Sequence, residues 1–164
     1  MQPSTASLKL VAVVGVLCFC GLTVYLAPLQ PSVVALQFTF TPDAFARVLQ
    51  SWGPEGVQLF RRHLPIDGLL LLSYGAVGYL AVVRTCFFGP LTIRLPVRGL
   101  ALLLPVAAAF DAAENLLHWT LTGADAGVTP ASTGWYLAAG LCASLKWAGI
   151  AAFAFAAVIA WVRR

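Results

Sequence analysis

Asp111-Ala-Ala-Glu114-Asn115-Leu-Leu-His118 lies inside an apolar stretch of the chain, and Lys146 interrupts another one further along. On a helix that turns ~100° per residue, spacings of i, i+3, i+4 and i+7 place Asp111, Glu114, Asn115 and His118 on one face, within an arc of about 100°. These are the groups that acid/base chemistry uses. Asp111 or Glu114 would give or take a proton, Lys146 and Asn115 would steady developing negative charge, and His118 would assist. The same groups also suit a purely structural network, since polar side chains link helices inside membranes.

A charged side chain near the centre of a bilayer costs at least ~2.5 to 3.5 kcal/mol, so three of them require partners. Counting along the chain, Asp111 and Glu114 lie nine and six residues before Thr120, and Lys146 lies eleven after Trp135. At ~1.5 Å per residue they reach nearly one level, which predicts an ion pair between the last two spans. Ala107 and Ala108 on one helix, and Ala139, Cys142, Ala143 and Gly149 on the other, are small enough for close approach. Two carboxyl groups then face one lysine, and the charge count leaves one of them to hold a proton.

The elements that must position these residues are membrane spans. The chain is 60 % hydrophobic and 10 % charged, with a mean hydropathy of +0.88, whereas roughly a quarter of residues are charged in soluble domains. A span needs about 20 apolar residues. Four stretches qualify, near Leu8 to Ala27, Ile66 to Phe88, Leu95 to Thr120 and Trp135 to Val162. The expected fold is all-α: one integral-membrane four-helix bundle formed by residues 1–164. The first stretch exceeds the ~7 to 15 residues of a signal-peptide core, so it is read as a retained anchor helix.

Lys9, Arg84, Arg94, Arg98, Arg163 and Arg164 fall on one side of a four-span chain, against Arg47, Arg61 and Arg62 on the other. The excess predicts a cell-membrane protein with both termini and the Arg84 to Arg98 connection in the cytoplasm. Cys18, Cys20, Cys86 and Cys142 lie in or beside apolar segments without C-x-x-C spacing, and read as small hydrophobes.

Residues 36–65, between the first two spans, form an extracytoplasmic insertion with its own pattern. Leu36-Gln-Phe38-Thr-Phe40 alternates as a short extended segment does. Thr41-Pro42-Asp43 then supplies a cap, a first-turn proline and a first-turn acid, so a helix should begin there. Phe45, Val48, Leu49 and Trp52 mark its apolar face, and Gly53-Pro54-Glu55-Gly56 breaks it. A second amphipathic turn carries Val57, Phe60 and Leu64. Together these suit an amphipathic helical cap over the outer end of the bundle.

In the second span Asp67, Tyr74 and Gly78 share a face, with His63 just ahead of Asp67. The combined expectation is a polar pocket in the outer half of the bundle. Asp111, Glu114, Lys146 and His118 would do any chemistry, and Asp67, Tyr74, Asn115 and Trp52 would contact a ligand. No metal site is expected, because a carboxylate metal bundle needs a second Glu-x-x-His motif. No cofactor is implied either: there is no G-x-G-x-x-G and no P-loop.

Trp52-Gly53 with Gly56 and Phe60, Asp67 with Tyr74, Asp111-x-x-Glu114-Asn115 and Leu145-Lys146-Trp147 together resemble small bacterial four-span membrane proteins of uncharacterised function. The likeness runs from Leu36 to Lys146 and implies an inner-membrane location but no reaction. Those proteins tend to carry a proline a few residues after the second-span aspartate, where this chain has Leu69 to Leu72.

Three functional expectations follow. The first is an accessory or scaffold protein whose Asp111, Glu114 and Lys146 network holds the bundle or docks a membrane-protein partner. The second is a membrane-embedded enzyme acting on a lipid or isoprenoid-like molecule by acid/base chemistry. The third is a small proton-coupled carrier. The lipid bilayer is a partner in all three. Nucleic acid is not, because the net charge of +4 follows membrane orientation.

Overall fold

The computed structural model describes residues 6–92, 96–123 and 132–163, and every regular element among them is helical. In chain order these are α1 (Ala6–Leu26), α2 (Val33–Gln37), α3 (Pro42–Arg84), α4 (Gly89–Thr92), α5 (Val97–Leu121) and α6 (Thr133–Val162). Helices α1, α3, α5 and α6 are each long and apolar enough to cross a membrane, as a multi-pass membrane protein requires. Arg94, Leu95, Arg164 and most of the Gly123 to Gly134 connection lie outside the described residues.

Helix α3 starts where Thr41-Pro42-Asp43 directs it. The Thr41 hydroxyl accepts from the amide of Ala44 at 3.3 Å, and Pro42 occupies the first turn, where it has no hydrogen bond to lose. Phe45, Val48 and Trp52 are buried, while Arg47, Gln50 and Ser51 are exposed. Gly53 breaks the helix with φ 64° and ψ −179°, a conformation that only glycine adopts without strain. Pro54 then opens the next turn, and the helix continues to Arg84.

Two sequence expectations are corrected here. The second amphipathic turn is not a separate helix: it forms the first turns of the second span, because Pro54 can start a helix and nothing after Gly56 stops it. At the other end, this span finishes at Arg84 rather than Phe88. Thr85 leaves the helix in an extended conformation, and its hydroxyl accepts from the amide of Phe87 at 3.2 Å. Phe88 turns inward to pack on Phe153.

The alternating run near Leu36 is also not extended. Val33–Gln37 forms the single-turn helix α2, because that turn inserts Leu36 into a cluster with Leu29, Phe45, Trp52, Phe60, Leu64, Leu121 and Ala139. Trp52 fastens this segment by donating its indole N–H to the carbonyl of Pro31 at 2.6 Å.

The long helices form a row in which α1 packs on α3, α3 on α5, and α5 on α6. Small residues make the approaches possible, since burial from water does not drive association inside a bilayer. Gly75 faces Ala108, Gly78 faces Leu104 and Gly149 faces Ala107. A Cβ added at Gly78 would lie 2.6 Å from that of Leu104, whereas one added at Gly21 meets nothing within 4 Å. Gly78→Val should therefore destabilise the purified protein by ~1 to 3 kcal/mol, as overpacking does, and Gly21→Val should be close to neutral. Thermal unfolding of both variants in mild detergent checks this. Equal melting temperatures would contradict the α3–α5 packing.

Candidate functional site

The polar face expected on the third span is present on α5 and points into the protein. Asp111, Glu114 and His118 are buried, and Lys146 reaches them from α6. Its Nζ lies 3.1 Å from Oδ1 of Asp111 and 2.6 Å from Oε2 of Glu114. The Asp111 contact is an aligned hydrogen bond. The Glu114 contact is a close charge pairing outside hydrogen-bond alignment, so distance makes it a partner although its carboxylate oxygens have no aligned donor among the described residues. Depth counting alone had placed these three groups together.

Helix α3 joins the network at two points. The Tyr74 hydroxyl donates to Oδ2 of Asp111 at 3.0 Å, and the Asn115 side-chain amide donates to Oδ2 of Asp67 at 2.7 Å. The helical spacing that put Asp67, Tyr74 and Gly78 on one face is what aligns all three with α5. His118 sits one turn beyond Glu114, with Nδ1 3.7 Å from Oε1, between the rings of Phe45 and Phe60.

These groups form part of the wall of a cavity of about 550 Å³, within the range of ~300 to 1,000 Å³ usual for ligand sites. Asp67, Tyr74, Asp111, Asn115, His118 and Lys146 supply the polar floor. Ala12, Val16, Phe19, Leu22 and Leu26 of α1 form the opposing apolar wall. Val16 and Phe19 on α1, and Trp147 on α6, line the cavity and are also exposed on the outside, so it opens sideways between α1 and α6.

Two expected site residues stand apart from the cavity lining. Glu114 is fully buried behind the floor and acts on it through Lys146 and His118. Trp52 belongs to the cluster around Leu36 and Phe60 and meets the cavity through Phe60, whose ring centroid is 5.3 Å from its own. Conversely, His63 lines the cavity and had not been placed in the site. Its position four residues before Asp67 puts it on the same helical face, a signal the sequence did carry. Trp147 lines the cavity and donates to Oε1 of Gln37 at 3.0 Å.

Chemically, Tyr74, Asp111, Lys146, Glu114 and His118 make a continuous path of polar contacts from α3 through α6 to the C-terminal part of α5. Such a path can share a proton or fix helix register. Comparison of the chain with protein-family models, curated proteins and solved structures finds no match, so the functional argument rests on the site itself.

Removing one partner of a buried ion pair strands the other charge, at a cost of ~3 to 5 kcal/mol. Lys146→Met alone is therefore expected to reduce accumulation in membranes sharply. Adding Asp111→Asn and Glu114→Gln should recover most of it, because neither partner of Lys146 is then left as an unpaired charge. Quantitative immunoblotting of membranes gives the answer, and unchanged abundance in the single variant would show that the network does not hold the fold.

Proposed function

We propose that this multi-pass membrane protein takes a lipid-like molecule sideways from the bilayer into the cavity between α1 and α6. The observation that carries this reading is the cavity itself: apolar along α1, polar along α3, α5 and α6, and open at the level of the spans. A lipid chain would lie against Val16, Phe19 and Leu22, and a polar head would meet Asp67, Asp111 and Asn115. Any chemistry on the bound molecule would be acid/base, with Asp111 exchanging the proton, Glu114 acting from behind it and Lys146 steadying charge.

In this reading both termini and the Arg84 to Arg98 connection face the cytoplasm of a bacterial cell. Helix α2 and the first turns of α3 then cap the outer end of the protein. The scaffold reading keeps one observation in its favour, the pairing of Lys146, Tyr74 and Asn115 with carboxylates of the same chain. A network that is complete internally can hold a bundle without a ligand, and the two roles are compatible.

Ala12 lines the cavity, whereas its neighbour Val13 is 56 % exposed on the outside of α1. Ala12→Phe should fill the cavity, and Val13→Phe should leave it open. Native mass spectrometry of protein purified in mild detergent should show amphiphile adducts on the parent and on Val13→Phe, reduced several-fold on Ala12→Phe. Equal adducts on all three would rule out the cavity as their site.

A further inference from the structure

We propose that the polar head of the bound molecule is a protonated amine. This rests on the lipid-binding reading of the cavity and sharpens it to one head chemistry.

The argument is a census of donors and acceptors on the cavity floor. Tyr74 spends its only hydrogen on Asp111, and Asn115 gives one amide hydrogen to Asp67. Lys146 directs its ammonium at two carboxylates, Asp111 and Glu114. Apart from the second amide hydrogen of Asn115, these donors are thus directed at partners inside the protein. The acceptors are not: among the described residues Oδ1 of Asp67 has no donor, and a carboxylate oxygen takes up to two.

His63 adds an acceptor. Its Nδ1 contacts the carbonyl of Phe60, and a carbonyl can only accept, so Nδ1 carries the hydrogen. In the neutral ring Nε2 is then a bare acceptor. His63 and Asp67 are one turn apart on α3, and both line the cavity.

Charge points the same way. Asp67, Asp111 and Glu114 bring three carboxyl groups to this region, against the single ammonium of Lys146. With a single proton shared among the acids, one negative charge is left for a ligand to balance. Arg61 does not supply the balance: it donates to the Trp119 carbonyl at 2.7 Å and the Thr122 hydroxyl at 3.0 Å, with its guanidinium over the Trp119 ring. A phosphate or carboxylate head would meet acceptors and no uncommitted cation. An ammonium brings the missing charge and three donors, and such charge-assisted bonds are the strong ones. A phosphoethanolamine head would carry its phosphate into the same unfavourable surroundings, which favours an amine without a phosphate.

Equilibrium dialysis of radiolabelled dodecylamine against the full-length protein in mild-detergent micelles, corrected for empty micelles, tests this. Unlabelled dodecanol, dodecyl phosphate and dodecyl phosphoethanolamine serve as competitors of equal chain length. Dodecylamine should compete at a concentration about tenfold or more below that of dodecyl phosphate or dodecyl phosphoethanolamine, the scale of one charge-assisted contact. Asp67→Asn keeps an oxygen for Asn115 and should lose that preference, so that dodecylamine competes no better than dodecanol. Ala12→Phe should weaken all four. Binding without preference for the amine, or with preference for either phosphate, overturns the head assignment and leaves the lipid-binding reading standing. No binding above empty micelles removes both.

Discussion

Lys146 is the constraint around which the rest is arranged. An ammonium at this depth must meet opposite charge, and the carboxylates it meets are on α5, so the rotation and depth of α6 against α5 are set together. Tyr74 carries the same constraint to α3 through Asp111, and the Asn115 to Asp67 bond repeats it one turn further out. Three helices are thereby held in register by polar contacts. The small residues between them, Gly75, Gly78, Ala107, Ala108 and Gly149, bring the backbones close enough for these contacts to form.

Helix α1 is outside that network. It is apolar from Leu10 to Leu22, with Leu22 its one buried residue among those described. Its attachments are at its ends: Arg84 donates to the Ser7 hydroxyl at 2.8 Å, and beyond Leu26 the chain enters the cluster that holds Leu29 and Leu36. Between them Gly15 lets α1 lean on α3, where an added Cβ would stand 3.3 Å from that of Ser73. The polar helices form a braced frame, and α1 is a wall laid against one edge of it.

This division explains what was readable in the sequence. The helical spacing of Asp111, Glu114, Asn115 and His118, and the depth of Lys146, depend on one fixed rise and turn per residue, so arithmetic on residue numbers carried over to the fold. The pairing of Asp67 with Asn115 needed only the further fact that α3 and α5 are neighbours. The position of α1 was not legible in this way, because its apolar run from Leu10 to Leu22 carries no polar marker of which neighbour it faces. The cavity was therefore not legible either. The segment around Leu36 misled for a different reason: two-residue alternation fits a strand, but a turn of helix that buries Leu36 gains contacts a lone strand would lack.

A gap beside α1 would be costly in a water-soluble protein, where unfilled apolar volume draws the walls together. Inside a bilayer that pressure is absent, because lipid chains are as apolar as the side chains they replace. Tight closure needs either small residues in register or a polar pair across the interface. Between α3 and α5 both are present; between α5 and α6 the small residues are joined by Lys146. On the α6 side of α1, Val16 and Phe19 are bulky and carry no polar group, so nothing draws the two helices shut. A lipid chain can occupy that side at little cost, while the braced frame keeps the polar floor in place behind it.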